Sequence, residues 1–383
     1  MSERKVLYMI YLDNAATTFP KPPEVAQSVY ECIKDWCGNP GRGSHSLAAR
    51  SSAALYECRE EAASLFGLED CGGAALFPNA TYALNSAIFG LVEPGSHVVI
   101  SDMEHNSVLR PIEFLKRERG VTYDVFSTCG DVARNIKSLL RPNTAAVICL
   151  HASNIINRVL PIGDIGRLCG QRGILFILDA SQSAGTYDIN MRRDGISVLC
   201  TAGHKGLLGP QGSGLALYSD GIVPKPFAYG GSGINSIEKD MPAFLPDRLE
   251  AGTAATPAAV GLACGIRYVR RVGVQNIAKK ERCVSTLMHK YLSQIKGVKL
   301  YSSPGGALCL FNVDGVNCQE CAAMLDSYGI CVRAGLHCAP LAHKTAGTLE
   351  CGAVRASAGP FSSADDAAGL AECIEKIARG CVK

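Results

Sequence analysis

Charge is scarce in this chain. Asp, Glu, Lys and Arg make up 19% of its 383 residues, the formal net charge is +3, and no stretch interleaves Lys and Arg with aromatics. Binders of nucleic acid or membrane surfaces concentrate basic charge, so neither class has electrostatic support. Long apolar runs are missing too. The basic start after Met1 leads into a brief apolar run that ends at Leu12, before Asp13. That run is too short for a signal peptide or a membrane span and reads as a strand, so a cytoplasmic protein is expected. No internal repeat or low-complexity tract occurs. Metal-ligand spacing is lacking as well: there is one CxxC, Cys318-Gln-Glu-Cys321, with no second pair and no spaced histidines. This argues against zinc, and no metal ligand is assigned. Cysteine itself is plentiful, 18 residues, but scattered through apolar segments at positions such as Cys149, Cys169, Cys200, Cys264 and Cys309. That distribution fits small buried hydrophobes in a reduced protein better than a disulfide scaffold.

What is present is an α/β pattern long enough for two packed domains. β-rich runs at Ala74–Phe77, His97–Ser101, Thr122–Phe126, Ala145–His151, Leu175–Asp179, Val198–Thr201 and Gly214–Tyr218 alternate with helical periodicity at Ala80–Leu91, Ser107–Arg119 and Gly163–Gln171. This predicts a mostly parallel, seven-stranded sheet covered by helices, in a large domain over residues 14–256. A Gly- and Pro-rich border from Pro224 to Pro257 follows, then one long helix from Ala258 to about Ile295. Strands at Val298–Tyr301, Ala307–Asn312, Ile330–Arg333 and Ala353–Ser357, with helices at Cys318–Tyr328 and Ala364–Arg379, predict a smaller α+β domain from residues 1–13 and 257–383.

The most informative stretch is Thr201–Gly214, where Lys205 sits between His204 and a run of glycines, ahead of an apolar strand. A Schiff-base lysine needs close backbone approach, shelter from water and neighbours that hold a phosphate. Upstream, the apolar strand 174–179 carries Asp179 at its carboxyl tip, where an acid can pair with the protonated pyridine nitrogen of pyridoxal phosphate. The pair is what points to a pyridoxal-phosphate (PLP) enzyme. A lone lysine in a glycine loop is a turn residue, and a lone Asp after a strand is a helix cap. Phe77–Asn85 turns from strand to helix, so its amides at Ala80 and Thr81, with the Thr81 hydroxyl, form either a phosphate cradle or a plain cap. His105 can stack on a flat pyridine ring. Asn154 can bond the cofactor's phenolic oxygen or a substrate carboxylate. Cys338 lies in a polar loop beside His337 with Arg333 nearby, where electropositive groups favour a thiolate. Arg355 has the fork geometry that clamps a carboxylate.

Six motifs occur in order: Tyr11–Pro22, Gly38–His45, Glu104–Pro111, Ala202-Gly-His-Lys205, Glu250-Ala-Gly-Thr253 and Arg333-Ala-Gly-Leu-His-Cys338. Together they resemble the cysteine desulfurase and selenocysteine lyase family, in the class V aminotransferase group of fold type I PLP enzymes. The resemblance covers about Tyr11 to Ala378, and the short segment around Cys338 resembles the branch with a compact catalytic loop. It implies that Lys205 carries the cofactor, Asp179 holds the pyridinium, Gln182 contacts the phenolic oxygen and His105 stacks on the ring. Thr81 and His204 would bind phosphate, Thr253 would reach in from a second subunit of a homodimer, and Asn154 and Arg355, with Arg333 near, would hold the substrate. Cys338 would accept sulfur from L-cysteine as a persulfide, releasing L-alanine, and could pass it to an acceptor protein. The alternatives are a selenocysteine lyase or other C–S lyase on this scaffold, or a PLP-fold binding or sulfur-carrier protein. Three departures from the family stand out: Ala202 lacks a hydroxyl found there in relatives, Ala80 lacks another, and Asn157-Arg158 replaces a glycine and a small residue. Asn157 is expected to keep the left-handed turn, whereas Arg158 could alter which substrate fits.

Overall fold

The computed structural model describes residues 9–41, 43–234 and 236–380. Most of the strand expected over residues 1–12 therefore lies outside the described residues, as does position 42 of the Gly38–His45 motif. In chain order the strands are β1 (Ile10–Tyr11), β2 (Ala74–Phe77), β3 (His97–Ser101), β4 (Thr122–Phe126), β5 (Thr144–Leu150), β6 (Leu175–Asp179), β7 (Val198–Ala202), β8 (Gly214–Tyr218), β9 (Val298–Leu300), β10 (Leu308–Val313), β11 (Ile330–Cys331), β12 (Arg333–Gly335) and β13 (Ala353–Ser357). The helices are α1 (Pro23–Glu31), α2 (Ser46–Phe66), α3 (Ala80–Leu91), α4 (Asn106–Arg119), α5 (Val132–Leu139), α6 (Ile162–Gly170), α7 (Thr256–Val272), α8 (Val274–Leu292), α9 (Cys318–Ser327), α10 (Pro340–Ala346) and α11 (Ala364–Ala378).

The larger of two compact units comprises residues 21–151 and 160–274. Its seven strands run in the order β2-β8-β7-β6-β5-β3-β4. β8 is antiparallel to both neighbours, and the remaining pairs are parallel. β3, β7 and β8 are buried at every position, which is why they read as continuous apolar runs instead of alternating ones. The carboxyl ends of β2, β3, β5, β6 and β7 share one edge, the place where open α/β sheets bind ligands. Every site residue expected in this unit, apart from Thr253, follows one of those ends.

The smaller unit collects the described residues up to Pro20, the excursion Ala152–Val159 and the chain from Gln275 onward. An antiparallel sheet in the order β12-β13-β10-β9 is joined by a parallel β1-β11 pair. Leu12, Met288, Phe311, Leu325, Val354 and Leu370 belong to its core. Two expectations need correction here. The single long helix from 258 to about 295 is two, α7 and α8, because Gly273 takes φ +89° between them, and α7 groups with the larger unit. The expected strand Ile330–Arg333 is also two, since β11 pairs with β1 while β12 pairs with β13.

Candidate active site

In the larger unit the site grows from turns that touch one another. The turn after β6 packs on the turn after β7 so closely that a Cβ on Gly206 would come within 2.3 Å of the Ala184 carbonyl oxygen. Glycine is required there, and it lets Lys205 follow β7 in a tight turn closed by Gly209 N–H to Gly203 O (2.8 Å) and Leu208 N–H to Lys205 O (2.9 Å). The Lys21 ammonium donates to the His204 carbonyl at 2.6 Å, and burial pushes Lys21 down to about 8. His204 is pushed down to about 4 by burial, then by Lys205 and Lys21, so its imidazole is neutral at physiological pH. Asp179 is buried at the tip of β6, where its carboxylate accepts the Ser181 amide at 2.9 Å and its carbonyl accepts the His151 amide at 2.9 Å. Gln182 lies in the turn that follows and is half-buried.

At the other end of this row, Asn79 caps α3 by accepting the Tyr82 amide (3.1 Å). Ala80 and Thr81 thus stand in the first turn, where helix amides have no intrahelical acceptor. Thr81 Oγ1 is 2.8 Å from Ser107 Oγ, which is 2.9 Å from His105 Nδ1. His105 caps α4 by accepting the Ser107 amide at 3.1 Å. Its neighbour Glu104 is fully buried, accepts from Ser101 Oγ and from Leu150 N–H (3.1 Å), and is raised to about 8, chiefly by burial. Thr201 points away from Ala202 along β7, its hydroxyl 3.4 Å from the Ala180 carbonyl. Thr253 is not brought to this row. It is exposed and lines a separate cavity of about 330 Å³ with Phe77, Tyr82, Phe227 and Leu262.

In the smaller unit Arg333 and Arg355 face each other across β12 and β13, and both bond Asp13. Arg355, buried, donates to Asp13 Oδ1 (3.2 Å) and to the Asn154 carbonyl (3.2 Å). Its Nε has no partner among the described residues. Arg333 is exposed and lies 3.1 Å from Asp13 through both Nε and a terminal nitrogen. Asn154 donates one amide hydrogen to the His337 carbonyl (3.1 Å), leaving its other amide hydrogen and its buried Oδ1 for a ligand. His337 and the exposed Cys338 are consecutive left-handed residues, φ +49° and +55°, a conformation costing about 1–2 kcal/mol per non-glycine residue. Asn157 has φ +58°, as expected, and adds an anchor: it donates to Ser303 O (2.8 Å) and Leu308 O (2.5 Å) and accepts from Leu308 N (3.2 Å).

The sequence passed over four of these residues. Asp13 and Lys21 stand inside a quoted motif without a role, and Ser107 follows His105 in another. His343 carried no signal beyond its type. PLP fits the residues present: a lysine in a glycine-lined turn, a buried carboxylate at a strand tip, and a hydroxyl pair, Thr81 and Ser107, joining the first turns of α3 and α4. Ser181 Oγ and His151 Nδ1 are also buried without a partner among the described residues, as expected around a polar group that completes the site.

Fold and site thus define a fold type I pyridoxal-phosphate enzyme. The chain matches the aminotransferase class-V family over residues 10–370 and belongs to it, in its cysteine desulfurase group. A probable cysteine desulfurase of Methanothermobacter thermautotrophicus is 32% identical over 96% of this chain and 94% of its own. The apo structure of a cysteine desulfurase from Thermococcus onnurineus NA1 superposes with TM-score 0.90 at 28% identity, covering 97% of this chain and 95% of that one. An Escherichia coli cysteine desulfurase structure, 22% identical with TM-score 0.88 over 98% and 96% of the two chains, shares the fold.

Proposed function

We propose that this enzyme removes sulfur from L-cysteine, releasing L-alanine and leaving a persulfide on Cys338. The substrate's Cβ–S bond breaks, a Cβ–H bond forms and an S–S bond forms, so L-cysteine plus the Cys338 thiol balance L-alanine plus the Cys338 persulfide. The observation that carries this reading is the setting of Cys338: an exposed thiol on a left-handed turn whose preceding carbonyl is tied to Asn154, itself bonded to the buried Arg355.

PLP, when bound, supplies the sink for the electron pair left as the substrate's α-proton departs. Lys205 is assigned the covalent link to the cofactor and, at Nζ, the movement of that proton. Asp179 holds the proton on the ring nitrogen, Gln182 bonds the phenolic oxygen, and His105 covers the ring face. Thr81, the Ala80 and Thr81 amides, His204 and, as an addition, Ser107 hold the phosphate. Arg355 and Asn154 orient the substrate, while Arg333 acts through Asp13. The Cys338 thiolate attacks the substrate sulfur.

A homodimer is part of the reading, with the partner's copy of the exposed Thr253 completing the phosphate site. A sulfur-acceptor protein then consumes the persulfide. A cytoplasmic setting is supported by the unpaired state of every described cysteine, and no described helix is long and apolar enough to cross a membrane.

The test is alanine release from L-cysteine by PLP-loaded protein with a thiol reductant, beside Cys338→Ala. Release by the wild type and little by the variant supports the reading. Equal release favours direct C–S or selenocysteine lyase chemistry. Absence of release from either refutes cysteine as substrate and directs attention to Arg158.

A further inference from the structure

The loop that carries Cys338 is held from behind by a directional chain of hydrogen bonds. His337 Nε2 lies 3.3 Å from the Arg333 carbonyl, His337 Nδ1 lies 3.1 Å from His343 Nε2, and His343 Nδ1 lies 2.7 Å from Thr348 Oγ1. A carbonyl only accepts, so His337 Nε2 must bear its hydrogen and, in a neutral ring, Nδ1 must accept. His343 Nε2 must therefore donate, its Nδ1 must accept, and the Thr348 hydroxyl must donate. The two ring planes are 5° from parallel with centroids 5.3 Å apart, an arrangement compatible with an in-plane N–H···N bond. His343 and Thr348 are completely buried, and His343 begins the backbone ladder of α10 by donating to the Ala339 carbonyl (3.0 Å). Every proton in the chain thus has one assigned place, anchored in a helix and ending on the residue beside Cys338.

We propose that His343, fixed by Thr348, is the positioning residue of the Cys338 loop. It holds the His337 ring in one tautomer and one orientation, and so keeps His337 and Cys338 in their consecutive left-handed conformations. Neither residue is glycine, so the backbone left to itself would relax to an ordinary basin. Three bonds to His337 oppose that relaxation: Asn154 grips its carbonyl, while His343 and the Arg333 carbonyl hold the two nitrogens of its ring. Burial first, then Arg355, pushes His337 down to about 3 and His343 to about 4, which keeps both rings neutral and the direction of the chain fixed at physiological pH. The inference rests on Cys338 being the sulfur acceptor.

The experiment compares PLP-loaded full-length wild type with H343L, H343Q, T348V and C338A. It measures alanine release with L-cysteine and, without substrate, the rate of Cys338 alkylation by iodoacetamide. Leucine fills the site without a donor, whereas the glutamine amide places a donor near the position of Nε2. H343L is expected to lower kcat by about tenfold or more with KM for L-cysteine changed by less than about twofold, as misplacement of a reacting group does. H343Q should recover most of that loss. Alkylation of Cys338 in H343L should rise by about threefold or more as the loop loosens. A wild-type kcat and alkylation rate in H343L overturn the proposal, and so does an H343Q as impaired as H343L. If H343L does not fold, T348V decides, because it removes one hydroxyl only: unchanged kcat and alkylation overturn the proposal, and a fall in kcat with faster alkylation supports it. Undiminished alanine release by C338A would instead remove the acceptor reading, and the alkylation rates would still report whether His343 fixes the loop.

Discussion

Ser107 Oγ lies 2.8 Å from Thr81 Oγ1 and 2.9 Å from His105 Nδ1, so a single hydroxyl ties the first turn of α3 to the residue that caps α4. It stands where the phosphate is expected, in a chain that lacks the family hydroxyls at Ala80 and Ala202. Ser107→Ala should weaken PLP binding about fivefold, the equivalent of one net hydrogen bond of about 1 kcal/mol. Absorbance titration of the apoenzyme with PLP reads this, and an unchanged dissociation constant would remove Ser107 from the phosphate site.

Asp13 neutralises two arginines in unequal settings. Arg355 is buried and Arg333 exposed, so the same carboxylate matters far more to one than to the other. Asp13→Asn leaves the buried guanidinium without a counter-charge and should cost about 2–4 kcal/mol of unfolding free energy. Arg333→Gln should stay within about 1 kcal/mol of wild type. Urea denaturation compares them, and equal losses would contradict the assignment.

Asn157 combines a left-handed backbone with side-chain bonds to Ser303 and Leu308. Asn157→Gly keeps the backbone freedom and loses the bonds, whereas Asn157→Ala loses both. The alanine variant should be the less stable of the two by about 1–2 kcal/mol. A ranking in the opposite order by thermal denaturation would show that the left-handed backbone carries no penalty at this turn.

Glu104 is raised from 4.5 to about 8 by burial, so between those values the folded chain holds a proton that the unfolded chain releases. Its contribution to stability is full below pH 4.5 and is lost as pH rises towards 8. In Glu104→Gln the fall in stability over this window should be shallower, by up to about 1.4 kcal/mol per pH unit. The depressed histidines act with the opposite sign. His151, His204 and His343, each pushed down to about 4, contribute stability that is full above pH 6.5 and lost as pH falls towards 4. Parallel pH profiles for wild type and E104Q would show that Glu104 is ionised in the folded protein.

Most of the large sheet was legible because its inner strands, β3, β7 and β8 among them, are buried on both faces and write themselves as largely apolar runs. Asp179 and Lys205 were legible because each sits at the end of such a run. The break at Gly273 was not, since α7 and α8 continue the same helical periodicity and only the backbone angle separates them. Asp13 and His343 escaped for another reason. Their partners, Arg355, Arg333 and His337, lie across the fold or around a turn, and no local pattern encodes a bond over 342 residues of chain. Ser107 was hidden by its ordinary place in the first turn of a helix.

The path of the chain has a consequence for engineering. The polypeptide contributes to the smaller unit up to Pro20, again over Ala152–Val159, and finally from Gln275 onward. A gene fragment encoding only the chain from Gln275 onward would contain Cys338, Arg355 and His343. It would lack β1 to pair with β11, Asp13 to neutralise the arginines, and Asn154 to hold the His337 carbonyl. The thiol-bearing part of this enzyme is therefore not a transplantable cassette. Chimeras with relatives would have to exchange three segments at once, and insertions between residues 151 and 160 should disturb sulfur transfer although they fall more than 170 residues before Cys338.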